Sequence, residues 1–167
     1  MSKKNIPFGV LIIFAVSLLT LVAVGQSTDA WVGTWRLNVA KSQFPPGRRT
    51  PRSNTWTIAS PNGGWTSVAE IISADGTTMH EEVNSKVDGH DYPVKGTGPN
   101  QADYANRTVA HTRVDAHTFE VVVKLNGKLA NTRRFVVSQD GKTLTDTGTG
   151  TDPQRRKVVS VQIWDRQ

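Results

Sequence analysis

The chain has 167 residues, no cysteine and a formal net charge of +6. Its length suits a single domain with a sizeable core. The absence of cysteine excludes disulfides, thiolate metal sites and thiol catalysis, so stability must come from apolar packing and backbone hydrogen bonds.

The first 25 residues predict the helix of a secretory signal peptide. Lys3 and Lys4 form a basic start, an apolar run extends from Phe8 to Val24, and Ala23-Val24-Gly25 places small residues before a cleavage site. We therefore expect export to the periplasm or the medium, with one domain at residues 26–167. The apolar run approaches the ~20 residues that span a bilayer, so an N-terminal membrane anchor is the alternative.

Short β-like runs and turn sequences alternate through the rest of the chain. Asp-Gly and Asn-Gly pairs supply the positive φ angles of tight hairpins, and their regular recurrence predicts an antiparallel meander. The predicted strands lie near residues 31–39, 52–60, 64–73, 77–87, 104–114, 117–125, 128–138, 142–151 and 157–166, with an extended piece at 90–95 that could lengthen the fourth.

Apolar and polar side chains alternate within these predicted strands. Phe119, Val121 and Val123 share one face, and Glu120 and Lys124 lie on the other. One apolar face per strand is typical of an antiparallel sheet with one solvated side. We therefore predict an all-β fold, an antiparallel up-and-down barrel of about 8–10 strands, with a β-sandwich as the alternative.

An ordered set of motifs resembles bacterial secreted lipocalin-like proteins. The set begins with Gly-Thr-Trp-Arg-Leu-Asn at 33–38 and Ala-Lys-Ser-Gln-Phe at 40–44, continues at 88–94 and 140–152, and ends at 161–167. The resemblance covers nearly all of the chain after residue 25. It implies a calycin-type up-and-down barrel and no particular activity.

The resemblance also assigns a structural role to three residues. In lipocalins the tryptophan of a Gly-x-Trp motif plugs the closed end of the barrel, and a basic side chain from the last strand stacks over it. It follows that Gly33, Trp35 and Arg166 should close the barrel here. A shielded guanidinium over an indole gains about 1 kcal/mol or more of cation–π attraction. Any ligand should then enter at the opposite mouth.

A barrel of this size is either filled by side chains or holds one small ligand. The candidate ligand-binding residues, all expected to point inward, are Trp56, Met79, Phe119, Arg133 and Phe135.

Arg133 is the most informative of these candidates. It shares its predicted face with Leu129 and Phe135, and a charge on an apolar face is costly unless it is paired. Its partner is predicted to be Glu81 on another strand, or a ligand carboxylate held by two parallel hydrogen bonds. A bulge that turns Arg133 outward, or a place at the open rim, is the alternative.

Two functions fit this sequence. The first is an exported module that binds a hydrophobic or amphipathic acid inside the barrel. The second is a filled barrel without a small ligand, a structural or interaction protein at an anionic envelope surface. Its contacts would be the basic clusters Arg48-Arg49-Arg52, Arg133-Arg134 and Arg155-Arg156-Lys157. We expect a monomer without a nucleic-acid partner.

The sequence offers no catalytic, metal or cofactor site. The histidines at 80, 90, 111 and 117 are scattered, without the spacing of metal ligands. Glu81 and Glu82 point to opposite faces of a strand, and no nucleophile turn is recognisable. We therefore expect a protein that is not an enzyme.

Overall fold

Ten antiparallel strands close into a barrel in the computed structural model, which describes residues 29–47, 49–98, 104–152 and 154–167. The strands are β1 (Gly33–Gln43), β2 (Ser53–Ala59), β3 (Gly64–Ile72), β4 (Thr78–Lys86), β5 (Tyr92–Thr97), β6 (Arg107–Arg113), β7 (Thr118–Leu125), β8 (Lys128–Val137), β9 (Thr143–Thr151) and β10 (Lys157–Arg166). The predicted all-β up-and-down barrel is confirmed. The β-sandwich alternative is wrong, because the sheet closes on itself.

Each strand pairs with its neighbours in the sequence, and β1 pairs with β10 to complete the ring. The closing register sets Trp35 opposite Arg166 and Leu37 opposite Trp164. The ring is closed by every neighbouring pair, although β5 and β6 pair only at Tyr92 with Val109 and at Pro93 with Thr108. The predicted signal peptide lies outside the described residues, and among those described no helix is long and apolar enough to cross a membrane.

The extended piece predicted at 90–95 is a separate strand. β5 runs from Tyr92 to Thr97 and pairs with β4 on one side and β6 on the other. It is short, and it carries Pro93 and Gly96, two residue types that strands disfavour. These features explain why the sequence pattern suggested only an extension of the fourth strand.

Leu129 is a second difference from the sequence prediction. The β7–β8 register passes from Val123 opposite Asn131 to Lys124 opposite Leu129, so Ala130 is an extra residue in β8. A bulge of this kind turns the next side chains to the other face. Leu129 therefore points outward and is 65% exposed, whereas Asn131 and Arg133 point inward.

The two ends of the barrel differ. The links β2–β3, β4–β5, β6–β7 and β8–β9 lie at one end, called the closed end, where the interior is packed with large side chains. The fully buried ones there are Trp31, Trp35, Ile58, Trp65, Phe119, Val137 and Leu144. The links β1–β2, β3–β4, β5–β6, β7–β8 and β9–β10 surround the other end, called the open end.

Candidate functional site

Trp35 and Arg166 meet at the closed end. Trp35 is completely buried, and its indole N–H donates to the Trp31 carbonyl at 2.8 Å. The Arg166 guanidinium carbon lies 4.2 Å from the centroid of the Trp35 ring. At Gly33 (φ 142°) a β-carbon would lie 2.5 Å from Nη1 of Arg166, so glycine leaves the room that the guanidinium occupies. The guanidinium also donates to the carbonyls of Ala30, Val32 and Gly141.

A layer of aromatic rings, called the aromatic floor, lies between the closed end and the interior cavity. The Trp56 ring centroid is 5.2 Å from that of Phe135 and 5.9 Å from that of Trp164, and all three side chains line the interior cavity. Phe119 stacks on Phe135 with centroids 4.5 Å apart, and it is completely buried. Phe119 therefore supports the floor from below, although it was predicted to contact ligand.

Above the floor a cavity of about 840 Å³ extends through the barrel interior to the open end, where the β1–β2 and β9–β10 links line it. This volume is within the range of small-molecule sites, about 300–1,000 Å³. The apolar wall consists of Val83, Val94, Val109, Val121 and Val123, with Ile71 and Met79 nearer the open end. The interior is therefore not filled by side chains.

Small residues make this space. Ser67 and Ala69 on β3, and Gly148 and Gly150 on β9, line the cavity where larger side chains would fill it. At Gly148 a β-carbon would lie 2.6 Å from Oγ of Ser160 on the neighbouring strand, so even alanine would require a shift there.

Arg133 points into the cavity and forms a two-point ion pair. Its Nε donates to Oδ1 of Asp146 at 3.0 Å, and its Nη2 donates to Oδ2. Asp146 is completely buried, whereas the Arg133 side chain is 29% exposed, on the cavity side. The partner is thus Asp146 and not Glu81. Asp146 could have been found from the sequence, because the threonines from Thr143 to Thr151 alternate with it and mark the outer face of β9.

The pKa values of this pair reflect burial and mutual attraction. Burial acts to lower the pKa of Arg133, but the charge and hydrogen bonds of Asp146, with the charge of Glu81, together raise it above its usual value. Burial raises the pKa of Asp146, and Arg133 opposes that change. The carboxylate of Asp146 therefore depends on Arg133 for its charged state.

A second ion pair lies on the wall nearer the open end. Oε1 of Glu81 accepts hydrogen bonds from Nη1 of Arg107 at 3.0 Å and from the Tyr104 hydroxyl at 3.2 Å. The Tyr104 ring lies flat on Gly96, where a β-carbon would be 2.5 Å from it. These side chains come from β4, from β6 and from the β5–β6 link, so no local sequence pattern indicated their contact.

Three further polar atoms beside the cavity have no hydrogen-bond partner among the described residues. They are Oδ1 of Asn54, Oδ1 of Asn131 and Nε1 of Trp164. Buried polar atoms in proteins are nearly always paired with protein or water. These atoms can therefore serve a bound molecule or ordered water.

His111 lies at the boundary between cavity and core. Its ring stacks on Trp65 with centroids 4.5 Å apart, and its Nδ1 shares a hydrogen bond of 3.1 Å with the Ser85 hydroxyl. Burial lowers the pKa of His111 to about 4. The imidazole is therefore neutral at physiological pH.

This buried histidine predicts an acid-sensitive stability. Below pH 6.5 the unfolded chain binds a proton at His111, but the folded chain does not until about pH 4. The free energy of unfolding should therefore fall by about 3 kcal/mol between pH 7 and pH 4 from this group alone. Urea unfolding across that interval, compared with His111→Gln, measures it.

Comparing wild type with His111→Gln separates the contribution of His111 from that of other groups that titrate in acid. Backbone hydrogen bonds lower the pKa of turn aspartates such as Asp75, Asp88 and Asp115, and these lose their stabilising charge in acid in both proteins. If wild type and His111→Gln lose stability in parallel, the neutral buried histidine is not the cause.

Within the described part of the chain, no three His, Asp or Glu side chains form a group that could hold a metal ion. No protein-family model matches the chain, and no curated protein matches it. The resemblance to lipocalin-like proteins therefore stays a prediction. The fold itself is that of a closed ten-stranded antiparallel β-barrel with an internal cavity.

Proposed function

We propose that this protein is an exported binding protein that holds one small amphipathic acid inside its barrel. The observation that carries the proposal is the cavity of about 840 Å³, which has an aromatic floor and an inward arginine. A filled structural barrel, the alternative function, is disfavoured by the same volume.

The apolar part of such a ligand fits the lower cavity. Trp56, Phe135 and Trp164 offer ring faces and edges, and the valine side chains of the wall continue the apolar surface upward. Each buried methylene contributes about 0.8 kcal/mol. This surface suits an alkyl chain or a fused ring system.

Arg133 is suited to hold the acid group. A guanidinium has five N–H donors, and Asp146 uses two of them, on Nε and Nη2. Donors on Nη1 and Nη2 remain for a carboxylate, which an arginine can hold by two parallel hydrogen bonds. Arg107 and Arg133, the two described arginines on the strand wall of the cavity, already have carboxylate partners, so apolar burial should supply most of the affinity.

Displacement of a fluorescent fatty acid tests this function. We expect saturable binding of one molecule per chain, counted by native mass spectrometry. A fatty acid should displace the probe at least about tenfold more strongly than the alcohol of equal chain length, because a hydrogen bond to a charged group is worth about 1.5–3 kcal/mol. Equal displacement by both would overturn the acid preference, and no binding at all would overturn the function.

A further inference from the structure

The links at the two ends of the barrel differ in charge. The described links at the closed end carry Asp88, Asp91, Asp115 and Asp140 against one cation, Lys142, and Asp91 pairs with Lys124 of β7. Those at the open end carry Arg49, Arg52, Arg155 and Arg156 against Asp75 and Asp152. The links of the barrel are therefore polarised, and an anionic surface attracts those of the open end more than those of the closed end.

Part of the positive charge at the open end has no carboxylate partner in the described part of these links. Arg49 pairs with Asp75 at 3.6 Å and Arg156 with Asp152 at 2.7 Å. Arg52 donates to the Ala74 carbonyl and pairs with no carboxylate among the described residues. Arg134, by contrast, pairs with Glu120 on the outer wall. The predicted Arg133-Arg134 surface cluster does not exist, because Arg133 points inward.

The open end also carries an exposed apolar tip. The β7–β8 turn is Asn126-Gly127, with φ of 52° and 72°, the conformation of a tight two-residue hairpin. Leu125 and Leu129 flank this turn and are 41% and 65% exposed, and Lys128 between them is exposed too. We call residues 125–129 the leucine tip.

The bulge at Ala130 makes this tip. Without it, strict alternation would turn Leu129 to the same inner face as Asn131. With it, Leu129 is the most exposed large hydrophobic side chain among the described residues, while the nearby Asn131 lines the cavity. The apolar tip thus lies directly beside the mouth.

We propose that the leucine tip docks the open end of the barrel on an anionic lipid bilayer. Leu125 and Leu129 enter the interface, and the arginines of the open-end links contact the headgroups. Apolar side chains beside cations are the combination that binds proteins to such surfaces.

A second protein copy fits this tip less well than a bilayer. The two leucines together expose about the surface of one leucine side chain. A stable protein interface buries about 800 Å² on each partner. A lipid surface needs no complementary shape, and a few inserted side chains add to the attraction between opposite charges.

Docking in this orientation faces the mouth toward the lipid. An amphipathic ligand could then pass between bilayer and cavity without crossing bulk water. This consequence rests on the proposed function, whereas the docking itself does not.

Site-specific labelling tests the docking, because the protein has no cysteine. Leu129→Cys carries an environment-sensitive nitrobenzoxadiazole dye at the tip, and Val136→Cys carries it at an exposed apolar position nearer the closed end. With vesicles of one third phosphatidylglycerol and two thirds phosphatidylcholine, we expect the dye at 129 to brighten and shift to the blue. The dye at 136 should not respond, and high salt or pure phosphatidylcholine should abolish the response at 129.

A second variant tests the leucines without a dye. Leu125→Ser combined with Leu129→Ser should weaken partitioning onto the same vesicles about tenfold or more, and Val136→Ser should not. Residues 1–25 are identical in all variants, so an N-terminal anchor would affect them equally. Equal dye responses at 129 and 136, or no loss on leucine replacement, would overturn the proposal.

Two further outcomes would also overturn the docking proposal. A response at 129 that grows with protein concentration without vesicles would assign the tip to self-association. Intact fatty-acid displacement in vesicle-free solution, with no response at 129 on vesicles, would reject the docking and leave the proposed binding function standing.

Discussion

The Trp35→Ala variant is expected to lose about 3–5 kcal/mol of unfolding free energy. Trp35 is completely buried, and the substitution removes its contacts, its hydrogen bond to Trp31 and the ring under Arg166. The guanidinium of Arg166 then faces a cavity. Urea unfolding at neutral pH, followed by circular dichroism, measures the loss.

Trp35→Phe is the matched control for this prediction. It keeps an aromatic ring under Arg166 and removes the indole N–H, so it should destabilise clearly less than alanine does. A loss of less than ~0.5 kcal/mol for Trp35→Ala, the size of an ordinary surface substitution, would contradict the role of Trp35 in closing the barrel.

Arg133→Leu is expected to lose a similar amount, about 3–5 kcal/mol, because it leaves Asp146 buried without a partner. The double variant Arg133→Leu/Asp146→Leu should recover most of that stability, since a buried ion pair replaced by apolar residues is often close to neutral. A double-mutant cycle in urea gives the coupling energy directly. If the loss of unfolding free energy in the double variant equals the sum of the losses in the two single variants, the two side chains do not stabilise each other.

The pH dependence of Arg133→Leu provides a further check. Burial raises the pKa of Asp146, and the variant lacks the guanidinium that opposes this change. An acid with a raised folded pKa destabilises the fold above that pKa and is relieved as pH falls through it. The difference in unfolding free energy between Arg133→Leu and the double variant should therefore become smaller as the pH falls.

The strands were predictable because local chemistry specifies them. Asn126 and Gly127 both adopt the positive φ angles that tight hairpins require, and so does Gly141 after Asp140. Alternation correctly placed Phe119, Phe135 and Arg133 on inward faces. It failed at Leu129, because a bulge reverses the alternation and leaves no mark in the sequence.

The candidate site was less predictable, because it depends on how distant strands meet. The pairing of Arg133 with Asp146 follows from register, and the contact of Glu81 with Arg107 and Tyr104 follows from closure of the barrel. The cavity exists because several inward positions carry glycine or alanine and no larger side chain. In the sequence, glycine and alanine at these positions indicate only a low strand propensity. The space that they leave becomes evident once the strands close into a ring.

Filling the cavity from within is the most direct test of the proposed ligand site. Ala69 lines the cavity and its neighbour Val68 faces outward, so Ala69→Phe adds a ring inside the barrel and Val68→Phe adds one outside. We predict that fluorescent fatty-acid titration shows saturable binding to wild type and Val68→Phe, and loss of that binding in a folded Ala69→Phe protein. Unchanged affinity in Ala69→Phe would contradict a ligand site inside the barrel.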